Sequence, residues 1–274
     1  MPVINTNVAA IQARGNFDRV QREMDQAIAR LSSGKRINRA HDDAAGQAIA
    51  GRMESQIRGL TMQIRNAKDG QSLVNTMEGA LQEVTTILQR MRELAVQASN
   101  GTATAADRGY LDTEASALLS EIDAIAKNTT YNETALFSAA SQHSFFTDIN
   151  LTGTEVVVSA NVLTANALLM SAEDAAITTV ANAASAISSF DEAISQIATN
   201  RASLGAISNR FDHIIDNLTN VVANTVAAQS RVQDTDYATE TTALTRATIL
   251  QQAATSMIAQ ANANKNSILT LLQA

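Results

Sequence analysis

From Val3 to Ala274 the chain contains no proline. Proline breaks a helix by removing a backbone donor and crowding the preceding turn, so nothing of that kind interrupts long helices here. Apolar residues fall on a sevenfold ladder, Met53, Leu60, Ala67, Val74, Leu81, Leu88 and Ala95. Ile57 and Ile64 accompany its early part, and Met77, Val84, Met91 and Ala98 its later part. Steps of three and four that sum to seven mark one seam of a helix packed lengthwise on another. A second ladder, Phe190, Ile197, Leu204, Phe211, Leu218, Thr225 and Val232, has the same period, with Ile187, Ile194, Ile215 and Val222 beside it. The two segments are expected to zip together, antiparallel if joined by a return. Each would extend roughly 60 to 80 Å, several times the usual helix of about 11 to 12 residues. The expected fold is mainly α: long antiparallel coiled-coil-like helices forming a rod, with a small β-hairpin element in mid-chain. Such an architecture builds rods and polymers more readily than catalytic pockets.

Only nine residues are aromatic, so the seams must be aliphatic and rich in alanine, which suits thin, closely packed helices. The net charge of -7 argues against a nucleic-acid binder. The first third is locally basic, but it lacks the interleaved aromatics that stack bases. The absence of cysteine removes disulfides and thiolate metal sites. Met1 to Ala10 has no basic region followed by an apolar run, and no window holds 18 successive apolar residues. No Sec-type signal and no membrane insertion are therefore expected, and a protein of this kind that leaves the cell must take another route.

Local signals divide the chain. A first helix is expected from about Val8 to Leu31, with Ile4, Val8, Ile11, Phe17, Val20, Met24, Ile28 and Leu31 on one side, ended by Ser32-Ser33-Gly34. Asp42 and Asp43 suit the positive end of a second helix running to about Ser99, where Asn100-Gly101 supplies a left-handed stop. Thr104 and Asp107 form a capping-box pattern for a third helix that ends near Asn128. Between 129 and 163 the spacing turns strand-like, in Ser144-Phe145-Phe146-Thr147 and Glu155-Val156-Val157-Val158. Helical spacing resumes after Ala165, and a boundary near Gln233 to Asp236 precedes a last helix with the ladder Leu250, Met257, Asn264 and Leu271.

That last segment holds nine large aliphatic residues between Tyr237 and Ala274, and after Arg246 its only charged side chain is Lys265. A lone pair of terminal helices buries one seam, too little to offset the ordering entropy of the whole segment. Both termini are therefore expected to be largely disordered in the monomer and to fold when subunits pack. No catalytic chemistry is visible: His41, His143 and His213 lie far apart, HExxH is missing, and the glycines at 46, 51, 59, 70 and 79 do not form a phosphate loop. Lying inside a helical ladder, those glycines are expected to permit close helix contact. No catalytic, cofactor or metal site is assigned.

Several runs resemble the terminal regions of bacterial flagellins. They are Ile4-Asn5-Thr6-Asn7, Arg30 to Asn38, Asp42 to Gly46, Asn66 to Gly70, Glu78 to Leu81 and Ile87 to Ala98, then Leu204-Gly205-Ala206, Asn209-Arg210-Phe211, Ser230-Arg231-Val232, Asp236-Tyr237-Ala238 and Gln260-Ala261-Asn262. The resemblance covers about residues 1 to 140 and 185 to 274. It implies a structural subunit that polymerises into the extracellular flagellar filament, after unfolded export through the flagellar type III apparatus. By that likeness residues 1–40 with 235–274 would form a discontinuous inner-tube domain, and 41–234 the surrounding rod domain. The space left between the matching regions is too short for the large surface domains that many flagellins carry.

The same likeness implies other copies, an export chaperone, the filament cap and hook-filament junction proteins as partners. Polymerisation is assigned to Ile4, Val8, Ile11, Leu250, Met257, Ile268, Leu271 and Leu272. Arg90, Leu94 and Glu114 match the stretch that the mammalian flagellin-sensing Toll-like receptor recognises in many flagellins, with Met91 in place of the common valine. Two rivals exist: a hook-filament junction protein of the same superfamily, disfavoured by the uninterrupted central match, and a flagellin with a mid-chain protease, disfavoured by the missing HExxH.

Overall fold

The structure is a computed structural model that describes residues 6–137, 141–146, 155–160 and 175–273, with the side chains of the last helix described through Ala263. Five helices are present: α1 (Val8–Ser33), α2 (Ala44–Ala98), α3 (Ala105–Asn128), α4 (Val180–Gln233) and α5 (Tyr237–Gln273). Strands β1 (Thr130–Tyr131) and β2 (Thr134–Ala135) form one antiparallel pair, and β3 (Ser141–Phe146) and β4 (Glu155–Ala160) another. None of these helices is long and apolar enough to cross a membrane.

The boundaries follow local chemistry. Asn7 caps α1 by accepting the Ala10 amide at 3.1 Å. Gly34 ends it in the left-handed region at φ 70°, its own amide returning to the Arg30 carbonyl. Asp43 receives the Gly46 amide and opens α2, whereas Asp42 ties down the preceding loop by accepting the Asn38 and Arg39 amides. The Thr104–Asp107 capping box forms in both directions and starts α3, which ends at Asn128. At Asn100-Gly101 the structure corrects the expectation, because neither residue has positive φ. The last carbonyls of α2 are instead met by the Ser99 hydroxyl and the Arg108 guanidinium, so no left-handed residue is needed there. Helix α4 begins at Val180; the earlier start expected after Ala165 lies outside the described residues.

The chain forms two compact units, Met1–Ile57 with Ala223–Ala274, and Arg58–Val222. In the second, the ladder becomes the core: Ala67, Val74, Leu81, Leu88 and Ala95 of α2 are buried with Phe190, Ile197, Leu204 and Phe211 of α4 and Ala115, Ile122 and Ala126 of α3. Polar rungs fix an antiparallel register. Gln71 donates to Asp212 at 2.7 Å, Arg201 to Glu78 at 2.8 Å, and Arg92 to Asp191 at 2.6 Å, so position rises on α2 as it falls on α4. The hairpin closes one side of this core through the pleat: Val156 and Val158 are buried and pair with Phe145 and His143. Phe145 meets Phe211 edge-on, with centroids 5.8 Å apart, over Gly70, where an added Cβ would lie 2.6 Å from the Phe211 ring. Gly51 and Gly79 have open space instead, so close contact accounts for Gly70 and not for them. The β1–β2 turn places Asn132 and Glu133 at φ 48° and 66°, the left-handed pair of a tight type I′ hairpin.

Candidate assembly surface

In the terminal unit α1 and α5 run antiparallel. Arg30 donates to Glu240 at 2.9 Å, Gln251 to Gln21 at 2.6 Å, and Asn7 to the Ala261 carbonyl at 3.1 Å. Each helix turns a heptad ladder inward. On α1 the covered positions are Ala10, Ala13, Phe17, Val20, Met24, Ala27 and Leu31; on α5 they are Glu240, Leu244, Ala247, Gln251, Ala254, Ile258 and Ala261. Alternating steps of three and four give the narrow seam of a two-stranded coil.

That seam does not include every apolar residue expected on it. Val8, Ile11 and Ile28 of α1, and Ile249, Leu250 and Met257 of α5, remain between 43 and 63% exposed. On a helical wheel of 100° per residue Val8 and Ile11 point away from α5, Ile249 and Ala253 away from α1, and Met257 to the flank of the seam. Phe17, Val20, Met24 and Leu31 hold the pair together while Val8 and Ile11 face outward, so the single apolar side expected for α1 is two sides. Helix α5 carries few charges, only Glu240, Arg246 and Lys265, although 19 of its 37 residues are polar, mostly Thr, Gln and Asn. Of the residues expected to drive polymerisation, Val8, Ile11, Leu250 and Met257 lie on this uncovered surface. Ile4 lies outside the described residues, as do the side chains of Ile268, Leu271 and Leu272.

The pair is anchored by a feature that sequence reasoning missed. Lys35 and Asp234 form an isolated antiparallel bridge. Around it Arg36 donates its amide to the Gln233 carbonyl at 2.7 Å and Thr235 donates to Gly34 at 3.0 Å. The Arg36 guanidinium also reaches the Val232 carbonyl at 2.7 Å. This clasp joins the α1–α2 connection to the α4–α5 connection. It is made mainly of backbone groups about 200 positions apart, so no side-chain pattern announces it. Gly34 is required for its positive φ, and a Cβ there would also come within 3.2 Å of the hydroxyl of the exposed Tyr237 side chain.

The three residues expected at a receptor contact separate. Arg90 and Glu114 are exposed and joined by hydrogen bonds of 2.8 and 3.0 Å, with Glu93 at 3.2 Å on the same guanidinium. Those two carboxylates, Glu114 foremost, raise the Arg90 pKa. Leu94 is 1% exposed and belongs to the chain's own core. Among the described residues no three His, Asp or Glu side chains gather as a metal site.

Long helices zipped into an aliphatic core, and a terminal pair whose outer apolar side chains have no cover among the described residues, suit a self-assembling structural subunit. Comparison with known proteins gives the family. Residues 4–142 match the bacterial flagellin N-terminal helical region and 187–272 the C-terminal one. The chain is 41% identical to a flagellin of Halalkalibacterium halodurans over 99% of its own length and all of the relative, and 39% identical to a flagellin of Bacillus subtilis over 98 and 99%. The crystal structure of Bacillus cereus flagellin superposes with a TM-score of 0.51 at 34% identity, over 60% of this chain and 94% of that one. A putative flagellar hook-associated protein of Vibrio parahaemolyticus superposes at 0.61 with 16% identity, a likeness of fold alone. The chain belongs to the bacterial flagellin family. It is a structural subunit that polymerises into the extracellular flagellar filament.

Proposed function

We propose that the subunit enters the filament through the outward face of the α1–α5 pair, and that residues 1–40 with 235–274 form its inner tube while 41–234 form the layer around it. The observation that carries this reading is the set of exposed apolar side chains on the outer sides of the pair, Val8 and Ile11 on α1 and Ile249, Leu250 and Met257 on α5, which the described residues leave uncovered. Water-exposed side chains of this size gain about 1 to 2 kcal/mol each on completing their burial. Identical copies related by a rotation that does not close then propagate into an open helical array. The compact-unit boundaries lie further along α2 and earlier in α4 than this division, since both long helices continue past the terminal pair.

The same economy applies before assembly. Export of unfolded chains, with a chaperone shielding the large aliphatic residues of α5, would couple secretion to ordering of the ends beneath the filament cap. Junction proteins of related fold would offer the first such surface. In a seeded polymerisation assay, Ile11→Ser/Met257→Ser is expected to raise the critical concentration more than tenfold, from about 2 kcal/mol of lost burial or more. An unchanged critical concentration in a folded variant refutes the assignment. Arg90 and Glu114, exposed and prearranged by their ion pair, are also proposed as a contact for the flagellin-sensing Toll-like receptor. Equal receptor activation by wild-type and Arg90→Ala monomer rules that out.

A further inference from the structure

The terminal unit also carries a polar groove of about 600 Å³, built by the last turns of α1 and the loop that follows. Its one deeply set carboxylate is already engaged. Asp42 accepts the Asn38 and Arg39 amides at 3.1 and 2.9 Å, with Gln26 at 3.4 Å and His41 at 3.3 Å. The Arg39 amide foremost, with Asn38 and the charges of His41 and Arg30, keeps this carboxyl ionised below the usual carboxylate range.

The cations are less well matched. Arg30 spends one terminal nitrogen on Glu240, while its Nε is buried with no acceptor. Arg22 and Arg39 form no ion pair among the described residues, and neither do the rim carboxylates Glu23 and Asp25. Guanidinium groups accept carboxylates in bidentate geometry.

The chain itself supplies such acceptors in excess. Residues 1–57 with 223–274 hold 11 Lys and Arg against nine Asp and Glu, a net +2; residues 58–222 hold nine against 18, a net -9. We propose that this groove receives a carboxylate from the 58–222 unit of a second copy, with the guanidinium groups of Arg22 and Arg39 as its donors, so that assembly satisfies charge as well as apolar surface. The proposal rests on self-polymerisation of the chain.

A cross-link provides the test. Full-length Arg22→Lys/Arg39→Lys protein, half of it isotopically heavy, is polymerised on seeds and treated with a carbodiimide, which joins an amine to a touching carboxylate as an amide with loss of water. Mass spectrometry is expected to find mixed heavy–light peptides linking position 22 or 39 to an Asp or Glu within 58–222. Links confined to one copy, or between copies but only to carboxylates outside 58–222, overturn the proposal. In parallel, Arg22→Gln/Arg39→Gln is expected to raise the critical concentration roughly tenfold, with the lysine variant recovering part of the loss. A glutamine variant that polymerises as wild type also overturns it. Failure of wild-type protein to grow on seeds would instead strike the filament reading, and Ile11→Ser/Met257→Ser reports on the apolar face independently. Inorganic phosphate that binds the monomer through Arg22 and Arg39, without competing with assembly at matched ionic strength, assigns the groove to a free anion and rejects the second copy.

Discussion

Replacing Gly70 by alanine sets two effects of opposite sign against each other, and the geometry decides between them. Glycine in a helix interior is worse than alanine by about 1 kcal/mol, so the substitution alone would stabilise α2. The new methyl would stand 2.6 Å from Cζ and 3.0 Å from Cε1 of Phe211, and 3.1 Å from Cγ of Phe145. Carbon atoms normally sit about 3.5 to 4.0 Å apart, so the ring must retreat by close to 1 Å. It has little room to do so, being fully buried and held edge-on by Phe145. Overpacking of this kind costs about 1 to 3 kcal/mol, leaving a net loss of about 1 kcal/mol. Gly79, where a Cβ would meet nothing within 4 Å, is the control: alanine there should gain about 0.5 to 1 kcal/mol. Urea unfolding of the two monomeric variants, followed by far-ultraviolet circular dichroism, should separate them by about 2 kcal/mol. Trimming the ring in Gly70→Ala/Phe211→Leu should recover part of the clash as a favourable coupling. If Gly70→Ala proves as stabilising as Gly79→Ala, the close packing of hairpin, α2 and α4 around this glycine is refuted.

Two further outcomes follow from charge. Hydrogen bonds hold Asp107 below the ordinary carboxylate pKa, mainly the Thr104 hydroxyl, and Asp236 likewise, mainly the Thr239 hydroxyl. A depressed folded pKa contributes stability that is fully present above the unfolded value of about 4 and is lost as pH falls through the folded one. Acid titration should therefore destabilise wild type more steeply than Asp107→Asn, and parallel curves would discount the α3 capping box as the source. Glu240→Gln leaves Arg30 largely buried without its counter-charge and should cost about 1 to 2 kcal/mol after allowance for partial solvent access. Amide exchange at Thr235 should quicken with it; unchanged protection there would separate the ion pair from the clasp.

Much of the framework is readable from the residues alone. The Thr104–Asp107 box, the Asp43 cap and the Gly34 stop each depend on residues within four positions of one another, so local composition places them. The long ladders survive for a related reason, since a sevenfold repeat presents one side whatever lies opposite. Reading stops where the answer depends on a second segment. Asn100-Gly101 has the composition of a left-handed stop, but Arg108 and Ser99 serve the end of α2 instead. Leu94 sits in a run that matches a receptor-contact stretch, yet the core encloses it.

What the sequence determined by itself was the set of helices and turns and the sevenfold spacing of their apolar residues, because capping and periodicity act over one or two turns of backbone. Only the tertiary structure decided which apolar side of α1 and α5 is used between the two helices and which stays exposed, and that main-chain atoms near 35 and 234 clasp the ends together. Burial is a property of two surfaces at once, and backbone hydrogen bonds carry no residue signature, so neither can be read from one segment alone.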